Sequence, residues 1–104
     1  MPNMDEFMQL AQNAKAELQK MQDKLGGIEV EGISGGGLVK IRATAKGQIL
    51  GVDIDPSLIV PEEKQMLEDL VAAAINDARS KADAAAQREV SSMTSGLGMP
   101  PGLF

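Results

Sequence analysis

The chain contains no histidine, cysteine, tyrosine or tryptophan, and its only aromatic residues are Phe7 and Phe104. It therefore lacks the commonest general base, a thiolate nucleophile and the best transition-metal ligands. No disulfide can form, which is consistent with a reducing cytosol. No apolar run approaches the ~20 residues of a membrane span, and the opening MPNMDEF is acidic, unlike a basic signal sequence. The reading is a soluble cytosolic protein with no membrane partner. Much of its 43% apolar content is alanine, so 104 residues have little bulk to bury. That predicts a single domain that completes its core by self-association.

The net charge of −5 is spread unevenly. Residues 38–46 hold three basic groups and no acid, whereas 61–77 hold five acids and one lysine. Total charge is then a poor guide to any local surface.

Met4, Phe7, Ala11, Ala14, Leu18, Met21, Leu25 and Ile28 alternate three and four apart, which predicts a helix with a heptad seam. Asn3 is its expected N-cap, with Glu6 three residues on, and Gly26-Gly27 its end. Such a helix either lies along its own sheet or projects beyond it. A second helix is expected from Pro61, with Glu62 and Glu63 in its first turn. Its buried stripe is Leu67, Leu70, Val71, Ala74, Ile75, Ala78, Ala82 and Ala85. From Ser80 the stripe is nearly all alanine, which predicts weak packing or extension into solvent. Residues 1–90 then form the domain and 91–104 a flexible tail rich in Gly, Ser and Pro.

Between the helices, ISGGGLVKIRATAKG (Ile33–Gly47) sets three glycines before an alternating run. A phosphate-cradling P-loop needs Lys-Ser/Thr opening a helix after its glycines; here a strand follows, so the glycines form a hairpin loop. With Lys46-Gly47 as a two-residue turn, Ala43 faces Leu50, Ile41 faces Val52 and Val39 faces Ile54. With Ser34–Gly37 as the other loop, Gly32 faces Val39 and Val30 faces Ile41. Both registers put the apolar residues on one face, which predicts a three-stranded antiparallel meander. On the other face Glu31 falls beside Lys40, Lys40 beside Asp53 and Glu29 beside Arg42, so these strand cations are expected to be internally paired. Ile33, Leu38 and Ile49 also fall on that outer face and mark the expected dimer interface.

Asp53 and Asp55 share a side of a strand and are the sole candidates for a hard cation. They read better as a partner for Lys40 and a cap on Asp55-Pro56-Ser57. No catalytic residue, metal site, cofactor or small-molecule substrate is expected. Nor is there a base-reading motif or a basic patch interleaved with aromatics. The helix cations read as solvated surface, with Lys20 and Lys24 on one flank of the first helix and Lys15 on the other.

The assembled pattern resembles the YbaB/EbfC family of bacterial nucleoid-associated DNA-binding proteins. The residues carrying the resemblance are GGGLVK (Gly35–Lys40), IDPSL (Ile54–Leu58) and MLEDLVAAAINDA (Met66–Ala78). It implies an α+β fold in the order αβββα, the meander lying between two long helices, assembled as a tweezers-like homodimer. It also implies non-enzymatic binding of double-stranded DNA with little sequence preference, in the cytoplasmic nucleoid, influencing nucleoid organisation and gene expression. Matched by segment, the implied DNA contacts are Lys15, Lys20, Lys24, Arg79, Lys81 and Arg88. The alternative is a homodimeric protein-interaction module in which the heptad helix recruits a partner.

Overall fold

The computed structural model describes residues 3–96. Helix α1 (Met4–Gly26) leads into strands β1 (Glu29–Ser34), β2 (Val39–Thr44) and β3 (Ile49–Ile54), and helix α2 (Lys64–Gly96) closes the chain. Short 3-10 turns occupy Gly35–Gly37, Pro56–Leu58 and Pro61–Glu63. The strands form one antiparallel sheet in the order β1-β2-β3. The αβββα expectation holds.

Local chemistry sets the boundaries. The Asn3 carboxamide oxygen accepts from the Glu6 N–H at 2.8 Å, with acidic residues in the first turn of α1 and Gly27 as its C-cap. Pro61 starts a 3-10 turn that runs directly into α2, its missing N–H costing nothing at a helix start. The boundary expected at residue 90 falls inside α2, which continues to Gly96. The remainder of the expected tail, 97–104, lies outside the described residues.

Helix α2 packs on β1 and β2 and barely touches β3. Val39, Ile41, Ala43, Leu58, Ala74 and Ala78 are buried between them, with Leu67, Leu70 and Val71 packed around. Gly32 allows this closeness. A Cβ there would stand 2.2 Å from the Ala74 carbonyl oxygen, so helix backbone lies directly against strand backbone. The alanine end of α2 does not pack weakly, as its composition had suggested. Ala82 and Ala85 are buried, and Ala85 joins Leu25 of α1 and Ala45 of the β2–β3 turn in a second small cluster. Small side chains here permit close approach, while Ala84 on the other side stays exposed and α2 runs on past Ala85, its last buried residue among those described, to Gly96.

Both hairpins differ in detail from the sequence expectation. The four-residue loop moves along by one, to 35–38, because Ser34 pairs with Val39; Gly32 then pairs with Ile41 and Val30 with Ala43. Every partner shifts by two, so the faces are kept. The other turn has three residues, 45–47. Thr44 O accepts from the Gly47 N–H, and Gly47 adopts φ 95, a left-handed conformation suited to glycine. A bulge opposite Arg42 and Ala43 absorbs the extra residue. Ala43 therefore pairs with Ile49, not Leu50, while Ile41–Val52 and Val39–Ile54 stand as expected.

Only the C-terminal end of α1 joins the body. Leu25 is buried and Met21 partly so, whereas Met4, Phe7, Met8, Leu10 and Leu18 are exposed. At ~1.5 Å per residue the helix is about 35 Å long, so most of it is a projecting arm. The radius of gyration is 19.7 Å and the extents are 70 × 24 × 17 Å, against about 13 Å for a compact chain of this length.

Candidate nucleic-acid interface

The two edges of the sheet are treated differently. At the β1 edge the Ile33 N–H donates to the Asp77 carboxylate at 2.9 Å, and Lys81 Nζ donates to the Glu31 carbonyl at 2.7 Å. Lys81 also pairs with Asp77 at 3.0 Å. The Ile33 N–H, then Lys81, holds the Asp77 carboxyl below the usual aspartate range. Helix α2 thus covers the outward hydrogen-bonding groups of β1. Ser57, through its hydroxyl and its N–H, likewise lowers Asp55, which caps the Pro56–Leu58 turn.

Among the described residues no such cover exists at β3. Thr44 N–H donates to Gln48 O, so alternate residues of β2 bond toward β3 and meet Gly51 and Asp53. The backbone groups of Val52 and Ile54 then point outward along an open edge. The apolar side chains of β3 are bare as well: Val52 is 54% and Ile49 48% exposed, and Ile59, Val60 and Ile75 are exposed too.

These positions alter the outer-face assignment. Ile33, opposite Lys40, does lie exposed on the face away from α2. Ile49 does not: the bulge pairs it with buried Ala43, on the α2 side. Leu38 has helical dihedrals (φ −66, ψ −31), so strand alternation does not reach it, and its side chain packs against the core.

The helix cations are not equivalent. Lys24 bridges α1 to α2 through Glu89 at 2.8 Å, Lys81 holds the β1 edge, and Lys20 meets Glu17 at 3.5 Å with both side chains exposed. Among the described residues, Lys15, Arg79 and Arg88 have no carboxylate within 4 Å. Arg79 and Arg88 lie about half a turn apart around α2, so the six residues form more than one surface. The strand cations reverse expectation too. Arg42 faces Glu31 rather than Glu29, and Lys40 faces Ile33 and Asp53. Neither makes an ion pair within 4 Å among the described residues. The Arg42 guanidinium instead lies over Gly51, where a Cβ would stand 2.7 Å from Nη2.

Sequence reasoning missed one basic position. A cleft of about 380 Å³ between the β2–β3 turn and α2 is lined by Lys46, Ile49, Ile75, Arg79 and Asp83. The helical spacing of 75, 79 and 83 was visible; that the turn faces it was not.

The sequence profile of the YbaB/EbfC DNA-binding family matches residues 1–97. The chain belongs to that family. It is 57% identical over 98 residues to "Nucleoid-associated protein bll8115" of Bradyrhizobium diazoefficiens, an overlap covering 94% of this chain and 92% of that one. It is 52% identical over 97 residues to a "Nucleoid-associated protein" of Nitrobacter winogradskyi, covering 93% and 92%. The crystal structure of uncharacterized protein HP0035 from Helicobacter pylori superposes with a TM-score of 0.76. It covers 89% of this chain and 98% of that one at 22% identity, a likeness of fold. Among the described residues no helix is long and apolar enough to cross a membrane.

Proposed function

We propose that this chain is a nucleoid-associated protein that binds double-stranded DNA as a homodimer, without catalysis, through backbone phosphates and with little sequence preference. Through that binding it influences nucleoid organisation and gene expression. The observation that carries the reading is a pair of projecting helices with cations, Lys15 and Arg88, that have no carboxylate within 4 Å among the described residues. Phosphate contacts of this kind position a protein on a duplex but carry no base information. Recruiting Lys20 costs little more, because exposed ion pairs contribute only ~0–1 kcal/mol.

The homodimer rests on β3. Its open edge and bare Val52, with Ile59 and Val60 also exposed a few residues on, offer apolar surface that a second copy of the same strand is suited to cover. With the β1 edge held by Asp77 and Lys81, pairing at β3 alone gives a closed two-fold assembly instead of a fibre. The test is titration of two unrelated labelled duplexes across a salt series. Log affinity should fall linearly with log salt, with a slope of about −0.9 per phosphate neutralised, and alike for both duplexes. A flat salt response, or binding to one sequence only, would overturn the reading.

One observation favours a second reading. Met4, Phe7 and Leu18 of the α1 seam are exposed, as are Met8 and Leu10 off it, which suits a partner helix. On that reading Phe7→Ala abolishes partner capture while DNA affinity is weak in the wild type as well.

A further inference from the structure

We propose that the cleft between the β2–β3 turn and α2 is a contact site for a duplex phosphodiester, with Lys46 and Arg79 as the donors. This rests on the DNA-binding reading and adds to it a residue outside the helices.

Three features converge there. The three-residue turn closed by left-handed Gly47 presents Lys46 at the tip of the hairpin, beside Arg79 of α2 in the same cleft. Both side chains are exposed, and among the described residues neither has a carboxylate within 4 Å. Asp83 lines the cleft but leaves it with an excess of one positive charge. A planar guanidinium and a mobile ammonium converging from two elements suit a tetrahedral anion. The floor of Ile49 and Ile75 gives the adjoining deoxyribose an apolar surface to lie on.

Position supports the same ligand. Ala45, next to Lys46, is buried with Leu25 of α1 and Ala85 of α2, and its N–H donates to the Ile28 carbonyl at 2.9 Å. The hairpin tip therefore sits at the base of the arms, where α1 and the end of α2 leave the sheet. A duplex held between arms reaches this base, and Lys46 extends the row of cations begun by the helices. The residues proposed to face a second copy are Val52, farther along β3 than Ile49, and Ile59 and Val60, beyond the end of the strand, so the cleft lies toward the other end of β3.

The test uses the full chain with Lys46→Gln and Arg79→Gln, and with Lys64→Gln as control, since Lys64 is an exposed partner of Glu68 at the far end of α2. Anisotropy titrations of a labelled duplex are run over a salt series, with sedimentation and thermal melting on every protein. Each cleft variant is expected to bind several-fold more weakly on any sequence and to lose about one unit of salt slope. Oligomeric state and melting should stay unchanged, and Lys64→Gln should match the wild type. Cleft variants with wild-type affinity and slope would overturn the proposal. So would a change of oligomeric state, which would assign the cleft to contact between copies. If the wild type itself fails to bind DNA, the function proposed above falls separately. Inorganic phosphate followed by amide chemical shifts then decides the cleft. Shifts at Gly47 and Ile49 that vanish in Lys46→Gln support it, and their absence overturns it.

Discussion

Replacing Gly32 by alanine tests the packing of α2 on the sheet. The new Cβ would stand 2.2 Å from the Ala74 carbonyl oxygen and 2.5 Å from the Ala78 amide nitrogen. Both are helix backbone atoms, so no rotamer change relieves the clash. Carbon and oxygen make contact at about 3.3 Å, so the helix must retreat by ~1 Å. A gap of that width forfeits up to about half of the dispersion attraction across the layer holding Val39, Ile41, Ala74 and Ala78. Overpacking costs ~1–3 kcal/mol when side chains can adjust, and a clash between backbones belongs at or above the top of that range. For a domain near 100 residues each kcal/mol moves Tm by about 4–8 °C. Gly32→Ala should therefore melt at least ~12 °C below the wild type, with a matching loss in urea.

Two other glycines serve as controls in the same melting assay. Gly36 has φ 68 and nothing within 4 Å of an added Cβ, so Gly36→Ala meets only the left-handed strain of ~1–2 kcal/mol. Gly26 is helical with open space around it, and Gly26→Ala should be neutral or stabilising by up to ~1 kcal/mol. A Gly32→Ala protein melting within a few degrees of the wild type, or above Gly36→Ala, would refute the backbone-contact account of this fold.

Val52→Asp should turn a dimer into a folded monomer by sedimentation, whereas Leu38→Asp should unfold the chain, because Leu38 packs against the core. Neutralising Lys15 and Arg88 together should weaken DNA binding uniformly and reduce the salt slope by about two, with melting unchanged; Lys81→Gln should instead loosen the β1 edge, read as faster exchange of the Ile33 amide. Asp77 has a depressed folded-state pKa, so its stabilisation is complete above the ordinary carboxylate range and is lost as pH falls through the lower folded value. Acid melts of Asp77→Asn should be flatter in that window than those of the wild type, and a parallel pair of curves would show that the Ile33 contact contributes nothing.

Elements and faces were legible in the sequence because both rest on short-range rules. Asn3, Gly27 and Pro61 act on their own neighbours, and alternation survives a register shift of two unchanged. The register itself was less legible. In SGGGL the loop can sit on 34–37 or 35–38 without changing which residues face the core, and Ser34 settles the matter by donating its hydroxyl to the Leu70 carbonyl at 2.6 Å, a contact from a distant helix. The bulge that moves Ile49 to the α2 side likewise follows from the third residue of its turn, which Lys46-Gly47 alone does not reveal. Charge assignment failed for the same reason. The partners of Lys24 and Lys81 are Glu89, across the α1–α2 contact, and the Glu31 carbonyl, across the helix–sheet contact. Neither is visible until the helices are docked. Whether a cation is free for phosphate is thus a tertiary property, even where its presence on a helix is a local one.

The acidity of the chain looks opposed to binding a polyanion, and the fold resolves the opposition by placement. Residues 53–69 hold six acids and one lysine, which amounts to the entire net charge of −5; the rest of the chain is neutral. That stretch comprises the end of β3, the two 3-10 turns and the start of α2, at the end of the sheet opposite the β2–β3 turn. There Glu62 and Glu63 also favour the start of the helix through its dipole. The run of α2 from Glu68 to Arg88 is about 30 Å, several times the ~8 Å over which charge is felt at physiological salt. A duplex bound as proposed, at the arms and hairpin tip, would meet a locally neutral surface whose Lys15, Lys46, Arg79 and Arg88 have no carboxylate within 4 Å among the described residues, while the acidic end would be screened from it. The same separation gives the chain a charge dipole along its length. Within that range, approach with the acidic end leading would be repelled and approach by the arms would not, which favours the proposed orientation.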